Sequence, residues 1–385
     1  MFLVFASQQM QQVARNWFLY EITRSPLMLA MLGVASGLPM VLFSLLGGVL
    51  ADRFSKKYII MASMVGMAVS SLCVAVIVVS GAAKNSVVAT LILASVLQAT
   101  AQAFMLPTRQ AMIPELVGKR LLMNAISLNS AFMNLTRIAT PGIAGVLIAV
   151  MGVGDIFFVM SGMVFVSALI MFLLPKMPPV QRTRRTSMLT DMGDTFRYLK
   201  TKPVLLNLMI LAFASVVFGL PFQLMLPIFT TDILKVGPQG LGLLLSLTGV
   251  GAFAGSVVVA SLGDFQRKGL LLLITMVVWG LTIIVFTAIP VYAVALALMI
   301  PMGISSTARA TVNQTLLQAN IDDHMRARVM GIYMMEVGLQ PLGSVPMGAL
   351  AEVVGAQIAV GAAGAIVALV AVWGLLFRPI LRNMP

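Results

Sequence analysis

The chain has 385 residues, of which 60% are hydrophobic and only 10% charged, with a formal net charge of +13. Its mean hydropathy is +1.02. Soluble domains carry about 25% charged residues, so a water-soluble globular protein is excluded and lipid is the expected solvent. The single cysteine, Cys73, rules out an intrachain disulfide. Lying in an apolar run, it reads as a buried structural thiol.

A membrane-spanning helix needs roughly 20 mostly apolar residues. In chain order such runs fall at 2–22, 27–50, 58–80, 86–106, 122–151, 154–174, 204–229, 239–262, 269–289, 291–308, 327–350 and 355–377. Their length predicts helices, because a barrel strand needs only about 9–11 residues of alternating polarity. The expected fold is an all-α membrane protein with twelve transmembrane helices in two pseudo-symmetric six-helix bundles. The bundles would cover 1–174 and 204–385, joined by a connection at 175–203. That connection opens PKMPPVQRTRRT and continues with Leu189, Met192, Phe196 and Leu199 at helical spacing. It predicts a basic linker followed by an amphipathic helix on the membrane surface.

Twenty of the 25 Lys and Arg residues fall in one alternate set of connections. This set includes Arg53, Lys56, Lys57, Arg109, Arg267, Lys268 and Arg309. The opposite set holds only Arg24, Lys84 and Lys235, and Arg15 and Arg137 fall inside spans. By the positive-inside bias the first set, and both termini, are cytoplasmic. The bases are scattered over membrane edges, which suits anionic lipid headgroups and not a nucleic acid.

Several spans carry a polar stripe at helical spacing. The first has Gln8, Gln12 and Arg15, and the fourth Gln98, Gln102 and Arg109. The fifth has Ser127, Ser130, Asn134 and Arg137, and the eleventh Tyr333, Glu336, Gln340 and Ser344. Each stripe is expected to face the bundle interior or a water-filled cavity, either as interhelical hydrogen-bond partners or as a substrate surface. Glu336 is the sole acid placed well inside a span. By elimination it is the proton-coupling candidate, with Arg15 or Arg137 as counter-ion. The 30 methionines suit a core as readily as an adaptable pocket.

The second half echoes the first. Asp52 in GGVLADRFSKKY recurs as Asp264 in ASLGDFQRKG, and Pro141 recurs as Pro341. Such spacing predicts two parallel repeats about an axis along the membrane normal. No phosphate-binding G-x-x-x-x-G-K-[ST] loop occurs, no cluster has metal-ligand spacing, and His324 sits in a charged loop. An ATP-driven pump, a metal site and a bound cofactor are therefore not expected, nor is an enzyme.

The stretch GGVLADRFSKK resembles the loop signature of the major facilitator superfamily, G-x-L-A-D-R-x-G-R-K, with Ser55 where the pattern has Gly. QQVARNWFLYEITRSP and PTRQAMIPELV are similar to the branch that holds the enterobactin exporter and related efflux permeases. The first run opens at residue 2, without the basic leader that branch usually has. The resemblance implies that Asp52, with Arg53, Lys56 and Lys57, forms a cytoplasmic gating latch against helix eleven. Asp264, with Arg267 and Lys268, would mirror it against helix five. It also implies a monomeric secondary transporter of the prokaryotic inner membrane, exporting an amphipathic small molecule against protons. Two alternatives stand beside it: an importer or facilitator of a metabolite anion, clamped by Arg15 and Arg137, and a sensor or assembly protein built on the same fold.

Overall fold

The computed structural model describes residues 2–53, 55–173, 195, 197–262, 265–334, 338–382 and 384. Within these, the side chains of 44–53, 111, 113–120, 122, 126, 323, 324, 327 and 334 lie outside the description. The described residues form helices joined by short turns. The first five are α1 (Phe2–Thr23), α2 (Pro26–Arg53), α3 (Lys56–Val79), α4 (Lys84–Met151) and α5 (Val153–Phe172). After the connection come α6 (Pro203–Ile233), α7 (Gly237–Ser261), α8 (Lys268–Ala288) and α9 (Tyr292–Asn320). The last are α10 (Asp323–Met334), α11 (Gln340–Val354), α12 (Ala356–Phe377) and a final turn, α13 (Pro379–Arg382).

Ten stretches among the described residues are long and apolar enough to cross a membrane. The first apolar run, α1, is not among them, because Gln8, Gln11, Gln12 and Arg15 dilute it. The eleventh run is divided between α10 and α11 by residues outside the description.

The fourth and fifth runs share one helical run, α4, of 68 residues. Straight, it would measure about 100 Å. A Cβ on Gly154 would lie 2.5 Å from Val79, so the ends of α4 are within about 30 Å of each other along the flanking chain. The run must fold back between its two crossings, Lys84–Gln110 and Met123–Met151. Pro107 and Pro114 lie in or beside that turn, where proline weakens a helix.

The helices show an inverted economy of side chains. In α3, Ile60, Met64, Met67, Ser71 and Val74 form the buried stripe, while Val65, Val69, Leu72, Val76 and Val79 form an exposed one. A helix in water would put polar residues on that second stripe. Cys73 joins the exposed side, which corrects the expectation of a buried thiol. In α12 the buried face is Ala359, Ala363, Gly364, Ala371 and Gly374, and the outward face is Ile358, Leu369, Trp373 and Leu376. Small residues inside let backbones approach, which is what drives helix association in lipid. A Cβ on Gly280 of α8 would lie 2.6 Å from the Gly364 carbonyl oxygen.

Contacts divide the chain into two compact units. The first comprises Met1–Thr183 and Thr230–Ser246; the second comprises Arg184–Phe229 and Leu247–Pro385. The first has a methionine-rich core in which Met64, Met67, Met105, Met112 and Met171 pack with Val4, Ile60 and Val164. Core filling accounts for these thioethers. The second has an aromatic core, with the Phe286 ring 5.1 Å from Phe222 and 5.0 Å from Phe229.

In the second unit α6 is broken twice by π-helical turns, Ser215–Gly219 and Phe229–Ile233, with Pro221 and Pro227 between them. The described end of the connection docks here. Leu199 is buried, Tyr198 Oη accepts the Asp322 N–H at 3.1 Å, and Lys202 pairs with Asp322 at 3.4 Å. Leu189, Met192 and Phe196 of the expected surface helix lie outside the described residues.

Candidate functional site

The first unit holds a polar pole amid apolar helices. Ser7, Gln11 and Arg15 of α1 are four residues apart and share one helix face. Gln11 is 1% exposed and Ser71 0%. Gln11 Nε2 donates to Ser71 Oγ at 2.6 Å and to Ser7 Oγ at 3.2 Å. Both hydroxyls donate onward, Ser7 to the Met160 carbonyl and Ser71 to the Met67 carbonyl. With both hydroxyl protons committed, Gln11 has to present its NH2 to the serines. Its Oε1 is left buried without a partner.

Arg15 sits one turn further along. Its Nη1 donates to Gln98 Oε1 of α4 at 3.1 Å, and Gln98 Nε2 reaches Ser70 of α3 at 3.4 Å. Among the described residues Arg15 Nε is buried and unpartnered, as is Gln8 Nε2. Among the described residues no carboxylate pairs with Arg15. A full positive charge at this depth costs at least about 2.5–3.5 kcal/mol, and one neutral amide is a poor offset. Among the described residues the pole is thus a charged donor group held by one neutral amide.

The other expected residues divide. Gln98 is buried in the pole, and Gln102 is half-buried on the same helix. Gln12 and Arg137 are exposed and Asn134 is half-buried. In the second unit Tyr333 is buried and Gln340 half-buried. Glu336, the proton-coupling candidate, lies outside the described residues, as do Asp264 and the side chains of Asp52 and Arg53.

Of the expected latch residues, Lys56 and Lys57 are buried. Lys57 Nζ donates to the Phe172 carbonyl at 2.7 Å and lies 5.3 Å from the Phe172 ring centre. That places a cation on the last carbonyls of α5, where the helix dipole favours it. Arg267 is exposed and Lys268 half-buried at the start of α8.

Two arginines bear on the sequence reading. Both fall among the membrane-edge bases, but Arg109 also closes the fourth span's stripe, which is expected to face inward, so only Arg309 departs from expectation. The structure buries them inside α4 and α9, at 4% and 3% exposure. Arg109 lies over the Phe5 ring at 4.2 Å, and Arg309 over the Trp279 ring at 5.2 Å. Stacking on an aromatic face offsets part of the cost of burying a guanidinium. The two are 200 positions apart, the same interval as Pro141 and Pro341, so the repeat itself carried the signal. Gln11 is not among the expected residues: it lies on a stripe of Ser7, Gln11 and Arg15 that shares Arg15 with the stripe of Gln8, Gln12 and Arg15, and helical spacing alone fits both.

The fold is that of the major facilitator transporters. A mutant of the nucleoside transporter NupG matches with a TM-score of 0.80 at 14% identity, covering 98% of both chains. A D-xylose-proton symporter matches with a TM-score of 0.77 at 12% identity, covering 99% of this chain and 97% of its own. Residues 5–384 match the family model described as transmembrane secretion effector. The chain belongs to that family of the major facilitator superfamily. Its curated relatives are transporters and not enzymes. The staphyloferrin A transporter of Staphylococcus aureus is 24% identical over 92% of this chain and 88% of its own length. The multidrug efflux pump Tap of Mycolicibacterium fortuitum is 25% identical over 89% and 85%. The enterobactin exporter EntS of Citrobacter koseri is 25% identical over 77% and 70%. This is therefore an integral membrane transporter for a small molecule.

Proposed function

We propose that the chain is a proton-driven exporter of an amphipathic, siderophore-like or drug-like small molecule. It works by alternating access between six-helix halves at 1–174 and 204–385, joined by a cytoplasmic linker at 175–203. It acts as a monomer in the lipid of the prokaryotic inner membrane, with both termini cytoplasmic. The observation that carries this reading is Arg15, a charged donor in the polar pole that Gln98 alone holds among the described residues. The relatives whose names specify a cargo are named for siderophores or drugs. Gln8, Gln12, Gln98, Gln102 and Asn134 would extend the cargo surface from the first half, and Arg137, Tyr333 and Gln340 would complete it. Glu336 would carry the proton. Asp52, Arg53, Lys56, Lys57, Asp264, Arg267 and Lys268 would close the cytoplasmic side.

The test uses proteoliposomes with an imposed pH gradient and enterobactin, staphyloferrin A and ethidium as probes. The wild type should concentrate at least one probe only while the gradient lasts. Glu336→Gln should abolish accumulation and spare binding. Accumulation by Glu336→Gln would refute the coupling role. The same Arg15 favours one second reading, a carrier for a metabolite anion clamped by Arg15 and Arg137. In that case transport should follow the membrane potential and exclude the cationic ethidium.

A further inference from the structure

The starts of α3 and α8 are counterparts in the repeat, yet the fold treats them differently. Each helix opens on a lysine, Lys56 and Lys268, at the same interval of 212 residues that separates Asp52 from Asp264. In the first unit Lys56 and Lys57 are both buried, and Lys57 Nζ donates to the Phe172 carbonyl at the end of α5. In the second unit the counterpart of Lys57 is Gly269. A Cβ there would fall on the Leu381 carbonyl, and the Gly269 N–H donates to the Met384 carbonyl at 3.3 Å. With no side chain at that position, the first turn of α8 lets α13 close over it. Leu381 and Met384 are buried by that contact, at 2% and 5% exposure.

The closure gathers bases. Arg267, Lys268, Arg378 and Arg382 all lie within three residues of the Gly269–Leu381 contact. The three arginines are exposed and Lys268 is half-buried. None of the four forms an ion pair among the described residues. Asp264, the acid nearest to them in sequence, lies outside the described residues, and Asp322 is engaged by Lys202. Four bases against one neighbouring acid leave a positive patch. The chain beside it is apolar and turned outward, with Leu376, Phe377 and Ile380 at 68%, 67% and 63% exposure. Trp373, one turn before Phe377, has the Arg378 guanidinium over its ring at 4.9 Å. Stacking holds a guanidinium flat and leaves its edge donors directed away from the ring. A tryptophan between bases and an apolar face marks a membrane–water boundary.

We propose that this corner of the second unit, where α13 closes on the start of α8, is a binding site for one anionic phospholipid. Its phosphodiester lies among Arg267, Lys268, Arg378 and Arg382, and its acyl chains lie along Leu376, Phe377 and Ile380. A guanidinium fork matches two phosphate oxygens at once, which a single ammonium does not. Each base beside an anionic membrane surface is worth roughly fivefold in affinity, so four together set this corner apart from a lone edge base. The apolar flank selects a lipid over a soluble phosphate, which has nothing to lay against it. Lys56 and Lys57 supply the internal contrast. They are buried, with Lys57 on a carbonyl of its own unit, and do not present their ammonium groups in this way.

The test is quenching of Trp373 in the full chain, reconstituted in phosphatidylcholine bilayers that contain phosphatidylglycerol brominated on its acyl chains. Trp17 and Trp279 are buried, at 5% and 3% exposure, and Trp373→Phe supplies their signal as a blank. The wild type should prefer phosphatidylglycerol to phosphatidylcholine at Trp373 by about fivefold or more. Arg267→Gln with Arg382→Gln should bring the preference to within about twofold of none, while Arg267→Lys with Arg382→Lys should keep most of it. Arg378 is left in place because it stacks on the reporter. Arg197→Gln with Lys200→Gln, which removes two exposed bases elsewhere in the same unit, should change nothing. Equal quenching by both lipids in the wild type overturns the site. So does a loss in the Arg197 and Lys200 pair as large as in the Arg267 and Arg382 pair, which would mean a diffuse field. A lysine pair as poor as the glutamine pair would overturn the role of charge. Displacement of the brominated lipid by soluble glycerol phosphate would overturn the lipid as occupant. The readout is lipid contact and not transport, so it is independent of the closing role proposed for Arg267 and Lys268.

Discussion

The helices α1 and α6 end in similarly spaced acid–base turns, Glu21 to Arg24 and Asp232 to Lys235, and solve the same problem in different ways. Each must bring polar groups into an apolar bundle. In α1 the backbone is an unbroken helix and the polarity is in side chains, through Ser7, Gln11 and Arg15. In α6 polar side chains are sparse until the closing Thr230, Thr231 and Asp232, and the backbone itself is irregular, with two π-helical turns and two internal prolines. Irregular backbone at membrane depth is tolerated only where protein or a water-lined cavity satisfies it. The close contacts around α6 show how it is supported. A Cβ on Gly343 would lie 1.6 Å from the Val217 carbonyl, and one on Gly219 would lie 2.2 Å from the Trp279 ring. The difference teaches that α1 should be sensitive to chemistry and α6 to volume.

The largest effect should come from Gly343→Ala. The obstacle is the backbone of a π turn, which cannot rotate away. A destabilisation of about 3 kcal/mol, at the top of the overpacking range, is expected. It should show as a melting point lowered by about 6–12 °C in detergent. An unchanged melting point would mean that α6 is not held by volume.

Next comes Arg15→Ala, with the opposite pattern. Transport of the active probe should fall about 10- to 100-fold, while the melting point holds or rises, because a membrane charge with little compensation has been removed. Arg15→Lys should recover only part of the activity, since a single ammonium cannot hold Gln98 and also present a planar fork. A parallel loss of stability and transport would erase the contrast with α6.

Gly219→Ala should be milder than Gly343→Ala, at about 1–2 kcal/mol, because the obstacle is a side chain. Trp279→Phe should rescue it by opening room beside the new methyl. Trp279→Phe also thins the aromatic face under Arg309, so the single variant must be measured alongside the double. Failure of the double to exceed both singles would place the clash elsewhere.

The smallest effect belongs to Ser71→Ala. It removes the 2.6 Å bond to Gln11 while the bond to Ser7 remains. Interhelical hydrogen bonds in membranes average about 0.6 kcal/mol, so a change of about 1–2 °C is expected, with transport altered less than threefold. A loss on the scale of Arg15→Ala would show that Gln11 positions the pole more tightly than one bond suggests.

What the sequence alone determined was whatever follows from solvent. Runs of about 20 apolar residues must be helices in lipid, since no other single segment satisfies its own backbone there. That argument located α2, α3, α5, α7, α8 and α12 to within a few residues, and the loop signature at 47–58 placed them in one superfamily. Tertiary structure decided matters of pairing. Polarity at helical spacing says that Arg15 turns inward; only packing shows that Gln98 meets it and that no described carboxylate does. Arg309 reads as an edge charge because a base near the end of an apolar run resembles a headgroup anchor, whereas Arg109 also closes an inward stripe. Packing lays each over an aromatic ring from a distant part of its own unit. Helical spacing is a local property of one chain segment, whereas the partner of a buried charge is set by which segments the whole fold brings together.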